Sequence, residues 1–242
     1  GQTNACEYNE TFGVQRNGAM CEYKAVPWSK VIPADSLSTR EVALIEPMSV
    51  GFHAVSRAEV TDSDTVTVIG CGMIGIGAIV RAALRGATVI AIDLDDSKLA
   101  LAKRVGAHYI INSKTENVHT RLSALTNSSG PDVVIEAVGS PATYVMAVEE
   151  VAFTGRVICI GYAKSETSFQ TKLFVQKEMT IKGSRNATPK DFRAVIHYLQ
   201  QGTCPINELI TACVKPEEAL TAMKQWTDTP GKVFRILVDF TR

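Results

Sequence analysis

The sequence lacks the charge pattern of a protein that binds nucleic acids or membrane surfaces. Its 242 residues contain 25 Lys and Arg against 25 Asp and Glu, and no run of basic residues is longer than two. Phosphate backbones and anionic lipids bind surfaces on which positive charge is concentrated. We therefore expect neither a nucleic acid nor a membrane as a partner.

Long apolar runs are also missing, although 45% of the residues are hydrophobic. Charged residues and glycines interrupt each apolar stretch well before the roughly 20 residues that a membrane-spanning helix needs. The six cysteines form no Cys-x-x-Cys pair, and several lie within apolar segments. This pattern is typical of reduced, buried thiols rather than of a disulfide framework, and it predicts a cytoplasmic protein.

The central part of the sequence alternates short apolar segments with helical patterns. The segments are nearly continuously apolar, as strands buried on both faces of a parallel sheet are. Helical patterns between them end at Gly86 and Gly106 or begin at Ser140-Pro141. The alternation predicts an α/β fold with a doubly wound parallel Rossmann sheet. The predicted strands are Thr65–Ile69, Thr88–Ile92, Tyr109–Asn112, Asp132–Ala137, Arg156–Ile160 and Met179–Lys182.

The two flanking segments have a different character. Residues 1–46 hold short strand-like pieces, notably Met20–Val26, and are too few to form a core of their own. Residues 189–242 predict two helices and a closing strand. These elements are Pro189–Gln201, Pro216–Trp226 and Lys232–Phe240. We expect residues 1–46 to be part of a domain whose remainder is absent, and residues 47–188 to form the Rossmann domain.

The most specific motif is Gly-Cys-Gly-Met-Ile-Gly at residues 70–75. It follows a predicted strand and opens a predicted helix, which is the context of a dinucleotide-binding fingerprint. In such a fingerprint the first glycine permits a tight turn, the second lets a pyrophosphate approach the backbone, and the third lets the helix pack on the strand. The candidate cofactor-binding residues of this turn are Gly70, Gly72, Met73, Ile74 and Gly75.

Asp93 follows Gly75 by 18 residues and comes directly after the next predicted strand. A carboxylate at about this spacing accepts hydrogen bonds from the adenosine ribose of NAD. The same charge repels the 2′-phosphate of NADP, and no arginine is adjacent to neutralise that phosphate. NAD is therefore the predicted cofactor. The alternative role for Asp93 is that of an acid at the start of the next helix, which Asp95 and Asp96 fill better.

Several further residues carry a family pattern. Together with the fingerprint, Asp93 and Lys98, three other stretches resemble the zinc-containing medium-chain dehydrogenases, in particular the sorbitol, polyol and threonine dehydrogenase branch. The stretches are Gly1–Cys6, Gly18–Tyr23 and Ile45–Val50. The resemblance covers essentially the whole chain and implies a GroES-like catalytic domain, to which residues 1–46 and 189–242 would belong, beside a Rossmann domain. It also implies hydride transfer between NAD and a zinc-bound secondary alcohol or ketone, such as a polyol, sugar alcohol or sugar acid, by a homodimer or homotetramer.

The resemblance also implies roles for single residues. Cys6 matches the last of four cysteines that bind a structural zinc, and Glu46 matches the acidic residue at the catalytic zinc. Lys98 matches a lysine beside the adenosine ribose, and Arg235 a basic residue near the pyrophosphate. The loops at the nicotinamide end match at Val138, Gly139, Ile160, Gly161, Ser184 and Arg185.

The other catalytic zinc ligands of the family, a Cys and a His-Glu pair, have no counterpart in this sequence. Its four histidines show no metal-ligand spacing, and a catalytic zinc needs three protein ligands. We therefore expect a fragment with an incomplete zinc site. Without the resemblance, Glu46 before Pro47 is an acid at a helix start.

Two other functions stay open at this point. One is a zinc-independent medium-chain reductase acting on quinones or enones, although Glu46, Cys6 and Asp93 argue against it. The other is a non-catalytic NAD-binding module, which would bind the cofactor without turnover. Zinc content and turnover of the longer protein would separate these functions from a zinc-dependent dehydrogenase.

Overall fold

The structure, a computed structural model, describes residues 2–229, 231 and 233–241. It divides into two units: one is Pro47–Ala187, and the other comprises the chain before and after that segment. Within the described residues, no helix is both long enough and apolar enough to cross a membrane.

Six parallel strands form the sheet of the first unit, in the order β3-β2-β1-β4-β5-β6. The order reverses between β1 and β4, so the sheet is doubly wound and the predicted fold class is confirmed. In such sheets, ligands bind outside the carboxyl ends of the strands at the point of reversal. The strands are β1 Thr65–Ile69, β2 Thr88–Asp93, β3 Tyr109–Asn112, β4 Val133–Glu136, β5 Arg156–Cys159 and β6 Thr180–Gly183.

Helices alternate with these strands and cover the sheet. Apolar side chains from the strands and from two of the helices form a buried cluster that includes Ile92, Ile111, Leu122, Val134 and Ala147. Burial on both faces explains why the strand sequences are nearly continuously apolar. The helices are α1 Thr39–Arg57, α2 Met73–Leu84, α3 Asp96–Arg104, α4 Val118–Leu125, α5 Pro141–Glu150 and α6 Lys172–Gln176.

Helix α1 corrects one expectation from the sequence. It begins at Thr39 and contains Pro47 in its interior, so Glu46 does not lie at a helix start. A proline is usually the first residue of a helix or a break in it, which is why the sequence pattern suggested a start at Pro47. The sequence pattern therefore did not predict the first two turns of α1.

Helices α1 and α2 cross with their backbones in contact. A Cβ atom on Gly51 of α1 would lie 2.3 Å from the Ile74 carbonyl oxygen. A Cβ atom on Gly77 of α2 would lie 2.6 Å from the Met48 carbonyl oxygen. Real side chains do not approach backbone atoms this closely, so both positions require glycine.

The edge of the sheet opposite the carboxyl ends is held by charged side chains. Arg156 forms an ion pair with Asp64, of which only a small part is exposed, and its guanidinium also donates to the Ala58 carbonyl oxygen at 2.8 Å. The Asp132 carboxylate accepts a hydrogen bond from the Thr65 N–H at 2.7 Å. These bonds tie the starts of β1, β4 and β5 together.

The second unit contains short elements. They are α7 Pro189–Gln200, α8 Ile206–Leu209, α9 Ala219–Asp228 and the parallel pair β7 Ala212–Val214 and β8 Ile236–Val238. Of the predicted closing strand, only Ile236–Val238 is strand, and Lys232 lies outside the described residues. The strand predicted at Met20–Val26 is wrong: this segment is irregular and largely exposed, because no strand among the described residues pairs with it.

Candidate cofactor-binding cleft

The turn after β1 has the geometry that the glycine motif predicts. Gly70 has a φ of +96°, and a Cβ atom there would lie 2.7 Å from Val138 Cγ2. A Cβ atom on Gly75 would lie 1.8 Å from the Gly70 carbonyl oxygen. The start of α2 therefore packs on the turn at a distance that only glycine allows.

Gly72 has the opposite surroundings. It is the N-cap residue of α2, with φ −69° and ψ −177°, and a Cβ atom there would have no heavy atom within 4 Å. The first turn of α2, which includes Met73 and Ile74, carries no acidic residue, and Gly72 supplies no side-chain cap. The first N–H groups of a helix lack intrahelical partners and bear partial positive charge. This open helix end is suited to a phosphate group.

Asp93 ends β2 and faces the same turn. Its Oδ2 accepts a hydrogen bond from the Cys71 N–H at 2.7 Å, and its Oδ1 accepts from the N–H groups of Leu94 and Asp95 at 2.7 and 3.1 Å. A carboxylate oxygen can accept at least two hydrogen bonds, and Oδ2 accepts only one among the described residues, so it keeps a free acceptor position. The carboxylate is half-buried and oriented by the backbone.

Asp95 is the N-cap residue of α3, and its Oδ1 accepts from the N–H groups of Ser97 and Lys98 at 2.8 and 3.3 Å. The pKa of Asp95 is lowered, first by the Ser97 hydroxyl and to a smaller degree by the positive charge of Lys98. Asp95 therefore fills the helix-start role that was the alternative for Asp93. Lys98 lies in the first turn of α3 and is half-buried.

The loops after β4 and β5 are in backbone contact. Gly139 has a φ of +82°, and a Cβ atom on Gly161 would lie 2.2 Å from the Gly139 nitrogen. The Ile160 N–H donates to the Glu136 carbonyl oxygen at 2.9 Å. The structure thus brings Val138 and Gly139 together with Ile160 and Gly161, as the family resemblance implies for the nicotinamide end.

Beside these loops, at the carboxyl ends of β5 and β6, lies a cavity of about 650 Å³. Ile160, Gly161, Ser184 and Arg185 line it. Ser184 is buried, and its hydroxyl oxygen has no hydrogen-bond partner among the described residues. A buried hydroxyl without a partner is costly, and a ligand in the cavity would supply one.

Sequence reasoning missed other side chains that shape this cavity. Tyr144 lines it and donates a hydrogen bond from its hydroxyl to the Gly161 carbonyl oxygen at 2.5 Å. Burial raises the pKa of Tyr144 to about 12 and the pKa of Cys159 to about 11, so both stay protonated at neutral pH. Glu136 lies beneath the loops and is fully buried. The only sequence signal for it was a charged residue that closes an apolar strand.

Three residues given roles by the family resemblance lie outside Pro47–Ala187. Cys6 and Glu46 are exposed, and the Arg235 carbonyl oxygen accepts from the Thr211 N–H at 3.0 Å. Within the part of the chain that the structure describes, no three His, Cys, Asp or Glu residues are grouped so that they could hold a metal ion. The described residues therefore do not fit a zinc site, and the zinc roles of Cys6 and Glu46 stay predictions.

Comparisons with known proteins agree with this geometry. The sequence pattern of the family described as zinc-binding dehydrogenase matches residues 74–201. L-galactonate-5-dehydrogenase of Escherichia coli (strain K12) is 34% identical over 212 residues, which are 87% of this chain and 62% of that protein. Sorbitol dehydrogenase of Bacillus subtilis (strain 168) is 31% identical over 209 residues, 84% of this chain and 58% of that protein.

A solved structure of a short chain alcohol dehydrogenase from Escherichia coli CFT073, complexed with NADH, superposes with a TM-score of 0.87 at 26% identity. The alignment covers 98% of this chain and 70% of that one. This chain thus spans about three fifths of the length of the two curated relatives, 62% and 58%. The matched pattern includes Ile74 and Gly75 and covers more than half of the sequence. The chain belongs to the zinc-binding dehydrogenase family.

Proposed function

We propose that the unit Pro47–Ala187 binds NAD and that the protein is an NAD-linked oxidoreductase. Its substrate class is a secondary alcohol or the corresponding ketone: a polyol, a sugar alcohol or a sugar acid. The observation that carries the proposal is the turn at Gly70–Gly75, open at Gly72, with the oriented carboxylate of Asp93 beside it. The relatives named for L-galactonate and sorbitol support the substrate class.

In this proposal each part of the cleft has one task. The open N-terminus of α2 at Gly72 receives the pyrophosphate, and Met73, Ile74 and Gly75 contribute helix N–H groups. The free acceptor position on Asp93 receives a ribose hydroxyl, with Lys98 beside the ribose. The loops at Val138–Gly139 and Ile160–Gly161, together with Ser184 and Arg185, hold the nicotinamide. Arg235 near the pyrophosphate is a further proposal from the resemblance.

NAD held by these residues would supply a hydride acceptor for the oxidation of an alcohol to a ketone, with one proton released to solvent. When bound, zinc supplies a Lewis acid that lowers the pKa of the alcohol. The described residues do not fit that site, so what this chain supplies is the cofactor cleft. We further propose a homodimer or homotetramer in the cytoplasm, and sedimentation of the chain tests the assembly.

A titration of the 242-residue chain with NADH, run beside NADPH and followed by fluorescence, tests the proposal. We expect saturable NADH binding that is clearly tighter than NADPH binding. Asp93→Ser should weaken NADH binding by about 1–3 kcal/mol, because ribose hydroxyls lose a charged partner, and should narrow the gap to NADPH.

Asp95→Ser is the matched control, because serine keeps the N-cap of α3 and the residue lies two positions from Asp93. It should leave the ratio of NADH to NADPH affinity unchanged. Equal affinities for NADH and NADPH in the unaltered chain would contradict the role of Asp93. A folded chain that binds neither would contradict the proposed function.

The second candidate is a non-catalytic NAD-binding module. It would use the same turn at Gly70–Gly75, open at Gly72, to bind the cofactor. It predicts NADH binding, no zinc and no oxidation of sorbitol or L-galactonate by the full-length protein. Zinc content measured together with turnover on these two compounds separates the candidates.

A further inference from the structure

Glu136 is a carboxylate in an unusual place. It ends β4 and is fully buried, and its register partners are Ile69 of β1 and Cys159 of β5. It therefore lies where the strand order reverses, among strands whose buried residues are mostly apolar. Burying a carboxylate is costly unless hydrogen bonds stabilise it, so its presence requires a physical account.

One carboxylate oxygen is fully engaged. Glu136 Oε1 accepts hydrogen bonds from the Val138 and Gly139 N–H groups at 2.9 and 2.8 Å and from the Thr143 hydroxyl at 2.8 Å. These donors are neutral dipoles, so they stabilise a negative charge without cancelling it. The described residues give Glu136 no ion-pair partner within 4.0 Å.

The other oxygen points toward the loop after β5. Glu136 Oε2 is buried and has no hydrogen-bond partner among the described residues. A Cβ atom on Gly161 would lie 2.7 Å from it, and Gly161 lines the 650 Å³ cavity. The carboxylate therefore lies next to the backbone of a residue that lines the cavity.

The charge of Glu136 affects the cavity wall. The pKa of Cys159 is raised to about 11, first by burial and then by the Glu136 carboxylate. The pKa of Tyr144 is raised to about 12 by burial, with smaller contributions from Cys159 and Glu136. Both side chains line the cavity, so a ligand in it would experience the same negative charge.

We propose that Glu136 determines which redox state of the nicotinamide this cleft prefers, by favouring the cationic oxidised ring over the neutral reduced ring. The inference rests on the proposed function, because it requires the nicotinamide to occupy the cavity. The two rings are nearly the same size and differ by one positive charge, so a fixed anion beneath Gly161 discriminates between them. The Arg185 side chain, which also lines the cavity, has the opposite sign. The positive charge of Arg185 is the same in the unaltered chain and in a variant in which Glu136 alone is changed.

Glu136→Gln is the informative substitution. The amide keeps an oxygen that accepts from the Val138 and Gly139 N–H groups, and it removes the charge at nearly constant volume. We expect the ratio of the NAD+ dissociation constant to the NADH dissociation constant to rise at least about tenfold, which is the effect of one unit charge about 12 Å away at an effective dielectric constant of about 20. Both constants are measured on the full chain, NADH by fluorescence and NAD+ by displacement of NADH.

Asp132→Asn is the matched control. Asp132 lies just before the opposite end of β4 and accepts from the Thr65 N–H at 2.7 Å, a bond that asparagine keeps. The substitution removes the same charge far from the cavity, so the ratio should not change. ADP-ribose, which has no nicotinamide, should bind the unaltered chain and both variants equally.

Each outcome decides the matter. A ratio that rises in Glu136→Gln alone supports the proposal, whereas equal weakening of NAD+ and NADH would make Glu136 a structural residue and overturn it. If the unaltered chain binds neither NADH nor ADP-ribose, the proposed function fails and this inference fails with it. If Glu136→Gln does not fold, Cys159→Lys is the alternative, because it places a cation beside Glu136. This variant should also raise the ratio of the NAD+ to the NADH dissociation constant. An unchanged ratio would overturn the proposal.

Discussion

Replacing Gly72 by alanine separates cofactor binding from folding in the fingerprint turn. An alanine Cβ at this position meets no heavy atom within 4 Å, and the φ of −69° suits any L-residue. The side chain would fill the space through which, in the proposed function, a pyrophosphate would reach the backbone. We therefore expect alanine to change the stability of the empty chain little and to weaken cofactor binding.

Two small terms decide the stability of the empty Gly72→Ala chain. Reduced freedom of the unfolded chain stabilises the variant by about 0.4–1 kcal/mol. Alanine is a poorer N-cap than glycine, which costs a similar amount, about 0.5–1 kcal/mol. The terms offset each other, so the free energy of unfolding should change by less than about 1 kcal/mol. Urea unfolding monitored by circular dichroism measures it.

NADH affinity of the same variant should fall at least tenfold, or by about 1.4 kcal/mol or more. Gly75→Ala provides the contrast, because its Cβ would lie 1.8 Å from the Gly70 carbonyl oxygen. That variant should lose both stability and affinity, and overpacking of this kind costs about 1–3 kcal/mol or more. An unchanged NADH dissociation constant in Gly72→Ala would refute the assignment of this turn to the pyrophosphate.

Two further predictions concern the sheet and the cavity. Arg156→Met should lower the free energy of unfolding by about 3–5 kcal/mol, because it leaves the mostly buried Asp64 without its ion-pair partner. The double variant Arg156→Met, Asp64→Leu should recover much of this loss when unfolding by urea is measured. A double variant no more stable than Arg156→Met would contradict this reasoning. For Cys159, burial raises the folded pKa from 9.0 to about 11, so between these values the unfolded chain loses its proton first and the unfolding free energy should fall as pH rises. Cys159→Ala should flatten this fall, and an identical pH profile for the variant would show that the thiol does not titrate as described.

Local signals in the sequence were enough to predict the sheet and the glycine turn. The close neighbour of Gly75 is the Gly70 carbonyl oxygen, five positions away, and β-branched runs such as Thr65–Ile69 identify strands without knowledge of their partners. The strand at Met20–Val26 failed because a strand also needs a partner, which sequence alone does not reveal. The start of α1 at Thr39 was obscured by Pro47, which resembled a helix start.

The missed parts of the cleft all depend on contacts between residues distant in sequence. Glu136 lies 25 positions before the Gly161 that covers it, and Tyr144 reaches the same loop from α5. No periodic pattern in the sequence indicates such contacts, since they arise only when the strands pair in the sheet. A charged residue at the end of an apolar parallel strand was the one usable clue.

The crossing of α1 and α2 bears on how this protein could be engineered for heat resistance. Replacing helical glycines by alanine is a common stabilising strategy, worth up to about 1 kcal/mol at a compatible site. At Gly51 and Gly77 the added methyl group would meet carbonyl oxygens at 2.3 and 2.6 Å, so the helices would have to separate. Because α2 begins at the cofactor turn, that separation would also move Gly72. Alanine at either of these two positions is therefore expected to weaken cofactor binding as well as helix packing.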